Sequence, residues 1–130
     1  MSTRFYRDGL GLEVMMDSKF DGDWPALFGA RVSRLHSVFL GDPANPDAGV
    51  VELVSMDGMP DGAGPADEPT TGFFLLSFYV SDVDAVLARL AELGLGGEPT
   101  RIALPAPGGV SVSMATVRDP DGVLVELIGS

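Results

Sequence analysis

The chain has 130 residues, of which 45% are hydrophobic and 21% charged, a composition typical of one folded domain. Eight lysines and arginines stand against nineteen aspartates and glutamates, so the net charge of −11 disfavours binding to nucleic acid or anionic membranes. The chain has no cysteine, which excludes disulfides, thiolate zinc sites and a cysteine nucleophile.

The acidic balance has two interpretations, solubility alone or attraction of a cationic ligand. The N-terminus is too charged to resemble a signal peptide, and the apolar runs are shorter than the roughly 20 residues of a membrane-spanning helix. We therefore expect a cytoplasmic protein.

The first third of the chain begins with the pattern of a helix end. "RFYRDGLGLEV", residues 4–14, predicts a last helical turn, a glycine stop at Gly9 or Gly11 and the start of a strand. Strands are predicted over "ARVSRLHSVFLG" and over "VVELVS", residues 50–55, with a hairpin at "GDPANPDAG" between them. Residues 56–72, rich in glycine, proline and acidic side chains, predict a linker.

The second half predicts a strand, a helix and three further strands. "GFFLLSFYV", residues 72–80, has strand composition, and "SDVDAVLARLAELG" has a helical apolar stripe with Ser81 as its N-cap and Gly94 as its stop. "GEPTRIAL" and "VSVSMATVR" follow as strands. The turn "DPDG", residues 119–122, leads into the last strand, "VLVELIG".

The two halves repeat one unit. "GLGLEVMM" parallels "ELGLGGEP", and "VVELVS" parallels "LVELIG", which defines a first module over residues 1–55 and a second over residues 73–130 of one domain. When Gly11 is aligned with Gly94, the first module lacks its opening strand and about half of its helix. Both are predicted to lie before Met1.

With these repeats the sequence resembles the vicinal oxygen chelate superfamily, which includes glyoxalase I, bleomycin-resistance proteins, extradiol dioxygenases and methylmalonyl-CoA epimerase. The segments that carry the resemblance are "FYRDGLGLEV", "VVELVS", "FYVSDVDAVLARLAELG" and "RDPDGVLVELIG". It implies an α+β fold in which two βαβββ modules form a curled mixed sheet around a ligand-binding cleft. In metal-using members, the first and last strands of each module supply the ligands of a divalent ion.

Two glutamates match the ligand positions that the resemblance implies. Strand alternation places Glu52 and Glu126 on the face opposite their branched apolar neighbours. The third implied position is Leu75, which has no donor atom, and the fourth belongs to the missing strand. Two carboxylates alone are a poor site for zinc, nickel, manganese or iron, so the leading prediction is that no complete metal site or other cofactor is used.

Five further residues are candidates for ligand contact. Trp24 falls in the long connection where, as the resemblance implies, relatives often place a loop over the cleft, and its ring can stack on a ligand or pack beneath a loop. His36, the sole histidine, can be a base, a ligand or a structural residue. Alternation puts Leu75, Ser77 and Tyr79 on the face that the resemblance assigns to the cleft.

Three functions remain open on this sequence. The leading one is a binding module that sequesters a cationic small molecule, as in the drug-resistance branch. The second is a metal-dependent lyase, isomerase or dioxygenase with Glu52 and Glu126 as ligands and one of them as a base. The third is a metal-free enzyme that uses a glutamate as acid or base. Because the missing strand would leave an unpaired strand edge, we also predict a homodimer, with or without exchanged modules.

Overall fold

The computed structural model describes residues 1–62, 64, 68–105 and 107–129. Part of the predicted linker, at residues 63 and 65–67, therefore lies outside the described residues. The elements in chain order are α1 (Ser2–Arg4), a π-helical turn (Phe5–Gly9), β1 (Glu13–Asp21), α2 (Trp24–Phe28), β2 (Arg34–Gly41), β3 (Val51–Ser55), β4 (Leu75–Tyr79), α3 (Val83–Glu92), β5 (Gly96–Pro105), a 3-10 turn (Pro107–Gly109), β6 (Ser111–Arg118) and β7 (Leu124–Gly129). The predicted α+β class is confirmed.

The chain divides into two compact units, one of Met1–Leu10 with Ala63–Ser130 and one of Gly11–Gly62. The module boundaries at residues 55 and 73 stay a prediction about the repeat. The N-terminal helical turns belong to the same compact unit as the second module. No helix within the described ranges has the length and apolar character needed to cross a bilayer.

In the larger unit, four strands form a mixed sheet of order β4-β7-β6-β5. Strand β4 runs parallel to β7, and the other pairs are antiparallel. One side of this sheet carries α3, whose Val83, Val86 and Leu90 are buried. Val125 and Leu127 of β7 are fully buried, because alternation along a strand sends every second side chain to the same face.

Helix α3 begins one residue later than the sequence predicts. Asp82 is the N-cap: its backbone is extended, and its carboxylate accepts a hydrogen bond from the Ala85 amide over 3.1 Å. The prediction of Ser81 as N-cap is wrong, since the side chain that reaches the third amide of the helix is that of Asp82. The predicted stop is confirmed, because Gly94 has a left-handed φ of 70°.

Two side-chain hydrogen bonds hold the N-terminal turns against the rest of the larger unit. Tyr6 is 1% exposed and donates its phenolic hydrogen to Asp119 Oδ2 over 2.7 Å, while Arg89 Nε donates to the carbonyl oxygen of Gly9 over 3.0 Å. Burial first, and then the Asp119 carboxylate, raise the pKa of the Tyr6 phenol well above its ordinary value. Tyr6 therefore stays neutral and keeps this contact at ordinary pH.

In the smaller unit, three antiparallel strands form a sheet of order β1-β2-β3. They correspond in order and direction to β5, β6 and β7, and both repeats begin after a glycine of positive φ, Gly11 at 85° and Gly94 at 70°. Strand β4 has no counterpart within described residues 11–62. This is the arrangement that the repeat predicts for a first module without its opening strand.

Candidate functional site

Glu126 lies at the centre of a row of hydroxyl groups that crosses the larger sheet. The strand registers pair Ser77 with Glu126, Glu126 with Thr116, and Thr116 with Thr100. Paired residues of neighbouring strands point to the same face, so the four side chains share the face opposite α3. The row therefore contains one carboxylate and three hydroxyl groups.

The Glu126 carboxylate is oriented by its neighbour on β4. Ser77 Oγ donates to Glu126 Oε1 over 2.5 Å, and no residue in the described ranges donates to the second oxygen, Oε2. A carboxylate oxygen accepts strongly from cationic donors. Glu126 is half-buried, so part of its side chain is accessible to a ligand.

A shallow depression of about 120 Å³ adjoins this carboxylate. Apolar and hydroxyl-bearing side chains alternate along its walls, which are formed by Thr100, Ile102, Met114, Ala115, Thr116 and Glu126. Ile102 is 54% exposed although it is a large apolar residue. The depression therefore offers an apolar surface beside a negative charge, which suits an organic amine.

Leu75 and Tyr79 flank Ser77 on β4. Leu75 pairs with Leu124 and is half-buried, and it brings only hydrocarbon to the position where the resemblance implies a ligand. Tyr79 pairs with Ile128 and is 89% exposed. Its phenol is therefore available to a ligand and not committed to the core.

Glu52, the repeat counterpart of Glu126, is held in a similar way within the smaller unit. Ser37 Oγ donates to Glu52 Oε2 over 2.6 Å, and Ser37 itself is 1% exposed. Glu52 is exposed, and no hydrogen bond to its Oε1 comes from the described residues. In each repeat, therefore, a serine hydroxyl occupies one carboxylate oxygen and the other remains open.

His36 and Trp24 lie elsewhere in the smaller unit. His36 Nε2 forms a short hydrogen bond with Asp17 Oδ1 across strands β1 and β2, and His36 pairs with Ser55 of β3 on the face opposite Glu52. Trp24 stacks on Phe28 with ring centroids 5.7 Å apart, and its indole nitrogen donates to the Phe20 carbonyl oxygen over 3.2 Å. The role of Trp24 in ligand contact stays a prediction.

A family model for the Glyoxalase/Bleomycin resistance protein/Dioxygenase superfamily matches residues 1–127. The chain belongs to this superfamily. The resemblance predicted from the repeats is thereby confirmed. Members of this superfamily bind small molecules and often form dimers.

Three relatives illustrate the relationship. The lactoylglutathione lyase-like protein terB of Aspergillus terreus is 41% identical over 132 aligned residues, which cover 98% of this chain and 67% of that protein. Glyoxalase I from Zea mays is 25% identical with a TM-score of 0.63, covering 98% of this chain and 39% of that one. A glyoxalase family protein from Bacillus cereus, 19% identical with a TM-score of 0.66, covers 93% of this chain and 79% of that one and shows the fold alone.

The superfamily is typically metal-dependent. Within the described ranges, no group of three or more histidine, aspartate or glutamate side chains is arranged to hold a metal ion. Leu75 offers no donor, and each glutamate has one oxygen bonded to a serine hydroxyl. Zinc and iron usually take three or more protein ligands, and the described residues do not supply such a set.

Three hydroxyl residues of these sites were missed at the sequence level. Ser37 contacts Glu52 diagonally, two positions from Phe39, the register partner of Glu52, and no sequence pattern marks such a contact. Thr116 and Thr100 could have been found. The "DPDG" turn sets the β6–β7 register, and counting outward from it places Thr116 opposite Glu126.

Proposed function

We propose that this chain binds small organic cations at Glu126 in its larger unit and at Glu52 in its smaller unit, each hydrogen-bonded to a serine, without a complete metal site, in the manner of the drug-sequestering members of its superfamily. The contact that carries the proposal is the hydrogen bond from Ser77 to Glu126. It fixes one carboxylate oxygen and leaves the other to accept from a ligand ammonium group.

The surroundings of Glu126 support the same ligand class. Thr100 and Thr116 supply hydroxyl oxygens that accept from an ammonium group, and Ile102 and Met114 supply apolar surface for the organic part. The net charge of −11 attracts cations over the whole surface. Because Glu126 is only half-buried, we expect modest affinity from this contact alone.

Titration of the chelator-treated protein with benzylamine tests the proposal, with benzyl alcohol as the neutral ligand of similar shape. We expect benzylamine to bind and Glu126→Gln to weaken it by about tenfold, the effect of losing one charge-assisted hydrogen bond. Glu92→Gln, at an exposed position in the last turn of α3, is the matched control and should change nothing. Failure of simple amines and of cationic glycopeptide antibiotics to bind at millimolar concentration would refute the proposal.

A metal-dependent lyase, isomerase or dioxygenase is the second candidate, with Glu52 and Glu126 as ligands of zinc, nickel, manganese or iron. The name of the Aspergillus terreus relative, a lactoylglutathione lyase-like protein, favours it. Elemental analysis after reconstitution separates the two candidates. One equivalent of metal per chain that is lost in Glu126→Gln would support the second candidate and count against the first.

We also propose that the chain forms a homodimer. Strand β3 lies at the edge of its sheet, with β2 as its neighbour, and its outer backbone groups have no strand partner in described residues 11–62. Eight large apolar side chains of the smaller unit are also exposed: Val14, Met15, Met16, Phe20, Leu27, Phe28, Val50 and Met59. The four from Val14 to Phe20 lie on β1, the other edge strand of the sheet, and Val50 immediately precedes β3. Open strand edges and exposed apolar side chains together favour association with a second copy of the chain.

A further inference from the structure

Two cavities of the smaller unit adjoin each other. The first, of about 330 Å³, is lined by Lys19, Arg34, Leu35, His36, Ser55, Met56 and Asp57. The second, of similar size, is lined by Phe28–Val32 and by Met56–Pro60. Met56 and Asp57 belong to both linings, so one ligand can extend from one cavity into the other.

Positive charge in this unit is concentrated at these cavities. Residues 11–62 contain three basic side chains, Lys19, Arg31 and Arg34, and the only histidine of the chain, His36. All four line one cavity or the other. Of the nine acidic residues in the same range, Asp57 alone lines them. Asp17 and Asp21 adjoin the first cavity through their contacts with His36 and Arg34. Among the described residues, Lys19 and Arg31 have no ion pair, and these two cations favour an anionic group at this place.

The strand registers bring three polar side chains of the first cavity into one row. Lys19 pairs with His36, and His36 pairs with Ser55, so the row crosses all three strands on one face. Arg34, two residues before His36, lies on the same face. The first cavity is thus lined on one face by four polar groups: an ammonium, an imidazole, a hydroxyl and a guanidinium.

Among these groups Lys19 is the most available to a ligand. His36 is engaged by Asp17, and Arg34 has a loose ion pair of 3.7 Å with Asp21. In the part of the chain that the structure describes, no carboxylate lies within ion-pair distance of Lys19. Its ammonium group can therefore bind a ligand anion without first breaking an ion pair in the protein.

The second cavity provides an apolar continuation. Phe28 is 53% exposed and is held by stacking on Trp24, and Met59 is 49% exposed. Val32 and Pro60 complete the apolar part of the lining. A cavity of a few hundred cubic ångströms with apolar walls and a few polar groups has the usual character of a small-molecule site.

We propose that these two cavities form a binding site for a small organic acid, with its carboxylate at Lys19, Arg34 and Ser55 and its apolar body against Phe28 and Met59. The site lies on the sheet face opposite Glu52, since Glu52 pairs with Phe39 and His36 pairs with Ser55. It takes a ligand of opposite charge to the proposed carboxylate sites and does not depend on them.

The test is a titration followed by backbone amide chemical shifts, with benzoate as the probe and benzyl alcohol as its neutral counterpart. We expect benzoate to move the amides around Lys19, His36, Ser55 and Met59, and benzyl alcohol to bind about tenfold more weakly. Equal affinity for the two probes, or shifts confined to other parts of the chain, would overturn the proposal. This comparison uses the unmodified chain, so it does not depend on the folding of a variant.

Variants locate the anion contact. Lys19→Gln and Arg34→Gln, at exposed positions, should each weaken benzoate by about tenfold. Arg4→Gln, an exposed arginine outside the cavities, is the matched control. Unchanged benzoate affinity in both cavity variants would overturn the proposal. Loss of benzylamine binding in Glu126→Gln with benzoate binding retained would show that the two sites are independent.

Discussion

Ser77 and Glu126 lie directly opposite each other on the parallel strands β4 and β7, and the serine hydroxyl donates to the carboxylate over 2.5 Å. A second serine, Ser37, donates to Glu52 in the first repeat over 2.6 Å, from a diagonal position on β2, the strand that corresponds to β6 and not to β4. Both carboxylates thus have one oxygen committed to the protein and one available. This shared arrangement suits the binding of a cationic group.

Ser77→Ala should weaken benzylamine binding by about fivefold, because the carboxylate loses the hydroxyl that orients it and one hydrogen bond is worth about 1 kcal/mol. Ser77→Thr, which keeps a hydroxyl, should restore most of the affinity. Calorimetric titration of both variants measures the effect. Ser113→Ala, on the opposite face of the same sheet, is the control. An unaltered affinity in Ser77→Ala would show that this hydroxyl does not position Glu126.

Tyr6→Phe should lower the free energy of unfolding by about 1.5–3 kcal/mol, the range for a lost hydrogen bond to a charged buried partner. The change leaves Asp119 Oδ2, in a residue that is 7% exposed, without its donor. Urea denaturation measures it. Tyr79→Phe removes a hydroxyl from a residue that is 89% exposed and should shift the value by less than about 0.5 kcal/mol. Equal effects of the two substitutions would contradict the role assigned to Tyr6.

The protein should lose stability as the pH rises above about 10, the ordinary pKa of tyrosine. Burial raises the pKa of Tyr6 in the folded state, so this residue contributes stability that is complete below the unfolded pKa and is lost as pH rises towards the folded one. In Tyr79→Phe, Tyr6 is the only phenol left. Its phenolate absorbance should then appear together with the loss of circular dichroism. Ionisation of Tyr6 at a pH well below the pH of unfolding would contradict this explanation.

The purified chain should be a dimer at micromolar concentration, because β3 presents an open edge and the smaller unit exposes large apolar side chains. Light scattering coupled to size exclusion gives the mass. Val54→Pro, within β3, should shift the equilibrium towards monomer by disturbing that strand. Since proline can also unfold the strand, circular dichroism of the variant is required alongside. A stable monomer of the unmodified chain across the micromolar range would refute the dimer.

Much of the fold follows from local sequence. Alternating apolar residues and the turn at Asp119–Gly122 predict β6 and β7, and the glycines at 11 and 94 mark both repeats, since only glycine adopts positive φ at low cost. The N-cap of α3 was missed by one residue because Ser81 and Asp82 are both good capping residues. Only the geometry of the chain selects Asp82.

Long-range contacts could not be predicted in the same way. The grouping of residues 1–10 with the second module depends on Tyr6 reaching Asp119, 113 residues later, and on Arg89 reaching Gly9. Alternation within single strands, together with the family resemblance, predicted Glu52, Glu126 and Ser77 as candidates. It did not identify Ser37 or the cavity around Lys19, because these depend on which residues face one another across strands.

The affinity for benzylamine, measured in parallel on chelator-treated protein and on protein supplied with zinc, nickel, manganese or iron, tests the central proposal most directly. The account predicts the same dissociation constant in both states and a weakening of about tenfold in Glu126→Gln. Binding that appears only with a divalent metal, or amine affinity that is unchanged in Glu126→Gln, would contradict it.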